Sequence, residues 1–121
     1  MKKRILVAED QENSLQILRD LLRNASFEII EAKDGEEAVR AAVAERPDLI
    51  LMDIQLPLLD GYEATRRIKG DPSLRSIPII AVTSYALSID EAKVLAAGCD
   101  DFVPKPYSPR QLLANIRQHL P

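Results

Sequence analysis

Short apolar runs alternate with longer amphipathic stretches along this chain, and that rhythm limits what it can fold into more than any other feature. Ile5-Leu6-Val7-Ala8, Leu49-Ile50-Leu51-Met52 and Ile79-Ile80-Ala81-Val82 are apolar without alternation, the pattern of strands covered by helices on both faces. Phe27-Glu28-Ile29-Ile30 alternates more, as suits an edge strand, and Asp101-Phe102-Val103 supplies the last run. Between them, Leu15, Leu18, Leu22 and Ala25 recur at three- and four-residue spacing, as do Leu112, Leu113, Ile116 and Leu120, which predicts amphipathic helices. Asp34 with Glu37, and Ser108-Pro109 with Gln111, are capping signals for the second and fifth helices, while Gly98 closes a fourth carrying Ala92, Leu95 and Ala96. Strand and helix units in this order, joined by right-handed crossovers, predict an α/β fold: a doubly wound (βα)5 parallel sheet, for which strand order 2-1-3-4-5, adopted here, is one of two common solutions.

A chain of 121 residues is one domain by length. The pattern leaves no Gly/Ser/Pro-rich linker, so the expected organisation is a single domain over 1–121. With 46% hydrophobic and 29% charged residues the composition excludes a long disordered chain. Lys+Arg at 16 against Asp+Glu at 19 leaves a net charge of −3, no footprint for direct nucleic-acid binding, so the expected partners are proteins. The one cysteine, Cys99, cannot form an intrachain disulfide and reads as a small buried residue. Met1-Lys2-Lys3-Arg4 precedes only a short apolar run before Glu9 and Asp10, too short for a signal peptide, and no run is long enough to span a membrane. The expected location is the cytoplasm.

Polar residues fall at the carboxyl ends of the expected strands. Glu9 and Asp10 follow the first, Asp53 ends the third, Thr83 follows the fourth and Lys105 follows the fifth. Ligands of open α/β sheets bind outside those ends, where strand order reverses, and in order 2-1-3-4-5 that point lies between strands one and three. Glu9, Asp10 and Asp53 should converge there and repel one another unless a cation intervenes. A hard divalent ion, Mg²⁺ or Mn²⁺, suits an all-oxygen set: carboxylates of Asp10 and Asp53, Glu9 through a water, and the Gln55 backbone carbonyl. No His/Cys cluster competes for zinc, since His119 and Cys99 are isolated. A metal-bound carboxylate stays ionised and can attack phosphorus, with the Lys105 ammonium and the Thr83 hydroxyl taking phosphoryl oxygens. Asp53 is therefore the candidate nucleophile.

The segments Val7-Ala8-Glu9-Asp10, Leu51-Met52-Asp53-Ile54-Gln55-Leu56-Pro57 with Asp60-Gly61, Ile80-Ala81-Val82-Thr83, Ala97-Gly98-Cys99-Asp100-Asp101-Phe102 and Lys105-Pro106 together resemble the receiver domain of two-component response regulators. The resemblance covers essentially the whole chain and implies a CheY-like, flavodoxin-like fold. It implies that Asp53 accepts phosphate from a histidine kinase or histidine phosphotransfer protein, with Asp10 as direct Mg²⁺ ligand and Glu9 as its acidic neighbour. It also implies a switch, in which Thr83 moves toward the phosphoryl group and Phe102 turns inward behind it. That motion reshapes the surface of the fourth helix, fifth strand and fifth helix for a downstream protein, and the same surface would serve a homodimer. Lys105-Pro106 resembles the family's cis peptide, and Gly61 would permit a tight start to the third helix. Gln55 and Tyr85 stand at the positions that tune phosphate lifetime; they lack the fast-hydrolysing Asn and Glu pair, and slow self-dephosphorylation is expected, with Tyr85 shielding phosphorus from water.

A signalling phosphoacceptor that releases no product, and so is not an enzyme, is the expected function. Its rivals are a degenerate receiver acting as a constitutive adaptor, an aspartyl-nucleophile phosphatase and an FMN carrier. The intact set Glu9, Asp10, Asp53, Thr83 and Lys105 opposes the first. Gln55 stands where the second needs another Asp, and Glu9-Asp10-Gln11-Glu12 would repel the phosphate of the third.

Overall fold

The apolar runs all become strands in the computed structural model, which describes residues 2–83 and 88–120, and of residues 88–90 the backbone alone. They are β1 (Arg4–Ala8), β2 (Glu28–Ala32), β3 (Leu49–Asp53), β4 (Ile79–Thr83) and β5 (Asp101–Pro104), alternating with α1 (Glu12–Asn24), α2 (Gly35–Glu45), α3 (Gly61–Gly70), α4 (Ser88–Ala97) and α5 (Pro109–His119). Every neighbouring pair is parallel, and the order is β2-β1-β3-β4-β5, as expected. Every residue of β3 and β4 is buried, because helices cover both faces of the central strands. Among the described residues no helix is long and apolar enough to cross a membrane.

Side-chain alternation divides the interior in two. Leu6, Ala8, Ile50 and Met52 pack with Ala38, Ala42, Ala64, Ile68 and Val94 beneath α2, α3 and α4. Ile5, Val7, Leu49 and Leu51 pack with Leu15, Leu18, Leu22, Leu112 and Ile116 beneath α1 and α5. Each fully buried leucine or isoleucine stabilises the fold by about 1.5–3 kcal/mol relative to exposure.

Two local expectations need correction, and the fourth helix turns an unexpected face to the sheet. Phe27 does not belong to β2; its N–H donates to the Leu22 carbonyl at 3.0 Å, closing α1, and its ring fills the core while Glu28 begins the pairing with β1. Ala25 lies just past the last residue of α1 rather than within it. In α4 the residues Ala92, Leu95 and Ala96 face solvent, and Val94 and Ala97 are buried. The apolar outer face of that helix hides which side meets the sheet.

The caps behave as expected. The Glu37 N–H donates to Asp34 Oδ1 at 2.7 Å and the Gln111 N–H to Ser108 Oγ at 3.4 Å. A third, Asp60 before α3, receives the Glu63 N–H at 2.9 Å. Lys69 braces the opposite end of the sheet: its Nζ donates to the carbonyls of Arg75 (3.1 Å) and Ile77 (2.8 Å) and to Asp100 Oδ2 (2.8 Å), which also accepts the Ile79 N–H. Three elements thus meet on one ammonium. Lys69→Met keeps the stem but removes the donor to the Arg75 and Ile77 carbonyls and the countercharge of Asp100, and urea denaturation should show a loss of about 1–3 kcal/mol with an unchanged m-value.

Candidate functional site

β1 and β3 are neighbours whose following segments leave toward opposite faces, and their carboxyl ends open a crevice between them. Glu9 is held there by its backbone, since its N–H donates to the Ala32 carbonyl of β2 at 2.9 Å. Asp53 ends β3 opposite Val82 of β4. Carboxylate oxygens of Glu9, Asp10 and Asp53 all lie within 4.8 Å of one another. Glu9 and Asp53 are buried, 1% and 6% exposed, whereas Asp10 is only partly covered. The convergence expected from sequence is therefore present.

Lys105 reaches the same cluster from beyond β5. Its Nζ donates to Glu9 Oε1 at 2.8 Å and lies 3.6 Å from Asp53 Oδ2. The Lys105–Pro106 peptide is cis, and the Lys105 N–H donates to the Thr83 carbonyl at 2.6 Å. Thr83 is buried at the end of β4, one residue past the strand position that faces Asp53. Gln55 is exposed, yet its backbone N–H donates to Asp53 Oδ1 at 3.0 Å, which sets that peptide beside the carboxylate. Phe102 pairs with Ala81 and packs partly buried against the core under α2, α3 and α4. Tyr85 lies outside the described residues.

The neighbourhood of Asp53 also explains Gly61. The Gly61 N–H donates to the Ile54 carbonyl at 2.9 Å, and a Cβ on Gly61 would overlap the Asp53 carbonyl. Close approach of two backbones, rather than an unusual φ, is what requires glycine there.

Electrostatics separates the two buried acids. Burial pushes the Glu9 carboxyl up, but hydrogen bonds from Lys105, from the Gln11 N–H and with Asp53 hold it below the ordinary range. For Asp53 burial dominates, the Glu9 contact adds to it, and the Gln55 N–H and Lys105 compensate only in part, so its carboxyl is pushed up to about 6. Burial pushes Lys105 down, yet its bonds and charges from Glu9 and Asp53 more than restore it. One ammonium is thus shared between two carboxylates and is bonded to only one of them. Cys99 is buried near Thr65 (Sγ to Oγ1 3.7 Å), and burial pushes its thiol up to about 11, which makes it unreactive.

The chemistry of the donors suits a hard divalent cation. All are oxygens, the charge is in excess over the single ammonium, and partly covered Asp10 leaves an open side for water. Among the described residues this is the one cluster of metal-ligating groups found.

An open parallel sheet with acids and a lysine gathered at its switch point is the architecture of receiver domains, and the chain belongs to the response regulator receiver family: the profile of the response regulator receiver domain matches residues 5–117. The polar-differentiation response regulator DivK of Brucella anthropi is 41% identical over 120 residues, spanning 99% of this chain and 98% of that protein. The receiver domain of a sensor histidine kinase from Pseudomonas aeruginosa, crystallised with a magnesium ion coordinated in its active-site cleft, is 37% identical with a TM-score of 0.92, over 98% of this chain and 97% of the other. Chemotaxis protein CheY4 of Vibrio cholerae is 25% identical with a TM-score of 0.93, over 99% and 100%.

Because folding raises the Asp53 carboxyl from 3.8 to about 6, its ionisation costs stability as pH rises through that window. Asp53→Asn should therefore be more stable than the parent protein in chelator-containing buffer at pH 7.5, by about 1–3 kcal/mol in urea denaturation. The difference should shrink steadily as pH is lowered from 6 to 4.

Proposed function

We propose that Asp53 is the phosphoacceptor of this receiver and that the chain works as a phosphorylation-controlled interaction module. The observation that carries the reading is the placement of Asp53 between Asp10, Glu9 and Lys105 at the crevice of the sheet. An Asp53 carboxylate oxygen attacks the phosphorus of a phosphohistidine; the P–N bond breaks, the imidazole leaves, and an aspartyl-phosphate remains. Lys105 can release part of its hold on Glu9 to meet a phosphoryl oxygen, and the Thr83 hydroxyl donates to another. Asp10, Asp53 and the Gln55 carbonyl would hold Mg²⁺ or Mn²⁺, with Glu9 behind them, and a bound ion there neutralises carboxylate and phosphoryl charge. The product stays on the chain, so this is signalling rather than turnover.

The donor in this reading is a histidine kinase or histidine phosphotransfer protein in the cytoplasm. Beside Lys105 an apolar groove is lined by Ile17, Pro106, Tyr107 and Pro109, and the exposed Ile17 offers a docking protein an apolar contact next to the crevice. The output is the surface of α4, β5 and α5, reset when Thr83 and Phe102 move together; it would meet a downstream protein or a second copy of the chain.

Incubation with acetyl phosphate and Mg²⁺ followed by intact mass measurement tests the site. The parent protein should gain one phosphoryl group, Asp53→Asn none, and excess chelator should abolish the gain. Asp10→Asn should require more Mg²⁺ for the same labelling. A parent protein that stays unlabelled returns the chain to the constitutive-adaptor reading, and equal labelling of Asp53→Asn moves the acceptor elsewhere.

A further inference from the structure

The loop between β3 and α3 holds an apolar side chain that neither core claims. Leu58 has φ +67°, in the left-handed region that strains any residue with a Cβ. The Leu59 N–H donates to the Pro57 carbonyl at 2.7 Å, so residues 57–59 form a γ-turn with positive φ at its centre, the rarer and more strained of the two γ forms. The Leu58 side chain gains nothing from the fold in return: at 84% exposure it is the most exposed large hydrophobic among the described residues, ahead of Ile17 at 58%.

The surroundings impose this turn. The Pro57 carbonyl also accepts the Gly35 N–H at 3.4 Å, and a Cβ on Gly35 would overlap the Leu59 carbonyl, so α2 presses against the loop. Leu56 is buried and Leu59 packs on the core, while Asp60 caps α3 and Gly61 is tied to Ile54. Held at both ends, the loop presents Leu58 alone to solvent. Glycine or asparagine would occupy the same backbone with less strain and less exposed apolar surface. The fold supplies no contact that offsets either the strain or the exposure of this leucine.

We infer that Leu58 is an apolar anchor for the protein that delivers the phosphoryl group, an inference that rests on Asp53 being the acceptor. The loop leaves the sheet at Asp53 and returns to it at Gly61, so a protein bringing a phosphohistidine to Asp53 must cover the loop's rim. The floor it approaches carries three carboxylates against one ammonium, so until a cation binds it repels a phosphorylated donor. Apolar contact at the rim supplies what the floor lacks. Acetyl phosphate is too small to reach both Asp53 and Leu58, which separates anchoring from chemistry.

The test uses Leu58→Gly, Leu58→Asn and Leu58→Met with two donors: acetyl phosphate, and the panel of purified, autophosphorylated histidine kinases from the same genome. Leu58→Gly and Leu58→Asn should fold with a Tm about 2–5 °C higher, as strain is released. Their labelling by acetyl phosphate should stay within about twofold of the parent, while kcat/KM with the fastest kinase falls about tenfold, through KM. Leu58→Met should keep most of the kinase rate. Unchanged kinase kinetics in the Gly and Asn variants overturns the inference, and so does an equal loss with acetyl phosphate, which would make Leu58 a determinant of cleft geometry. A panel that never labels the parent while acetyl phosphate does overturns the assigned partner. Failure of acetyl phosphate on the parent is a different result, and it removes the acceptor reading of Asp53 itself.

Discussion

The ion pair between Lys105 and Glu9 is the interaction on which the site depends. Two acids, Glu9 and Asp53, are buried side by side, and burying carboxylates without compensation is among the more costly things a fold can do. Lys105 at 2.8 Å from Glu9 compensates the first fully and, at 3.6 Å, the second only in part. The result is an acid pair of unequal character: Glu9 is held ionised, and Asp53 is pushed toward protonation until further positive charge arrives. A cation or a rearranged lysine would bring the Asp53 carboxyl back down and relieve the cost of holding it ionised at neutral pH. Readiness for chemistry and a built-in electrostatic deficit are the same property of this crevice.

That arrangement requires every contributing strand to end at one level. Parallel pairing places Asp53 beside Val82, and Thr83 beside Pro104, so the acid, the hydroxyl and the segment leading to Lys105 emerge together. Gly61 lets the backbone after Asp53 fold tightly against its own carbonyl. At the opposite end of the sheet Lys69 ties α3, the segment before β4 and the turn before β5 into one unit. The crevice is open because the rest of the sheet is braced and covered on both sides.

Much of this was legible beforehand because strands buried on both faces must be apolar throughout, and polar residues at their ends then stand out. The runs around Leu6, Leu51 and Ile80 located three strands, and Glu9, Asp10, Asp53, Thr83 and Lys105 marked one edge. What escaped was information that lies in packing. Ala92, Leu95 and Ala96 look like a core face, but α4 turns Val94 and Ala97 inward and leaves the others in water. Phe27 looks like the start of a strand, yet it closes α1. Nothing in Pro57-Leu58-Leu59 signals a left-handed leucine, because that conformation accompanies a close approach of the loop to α2 for which Gly35 makes room.

By itself the sequence determined the class of fold and the set of groups at the carboxyl edge, since periodicity and the position of polar residues are properties of the chain alone. Only the tertiary structure decided how those groups share their charge. Lys105 could have met Asp53 first and instead bonds Glu9, which separates the two carboxyl groups in acidity; that choice depends on distances between three strand ends far apart in sequence, and short-range patterns carry no record of them.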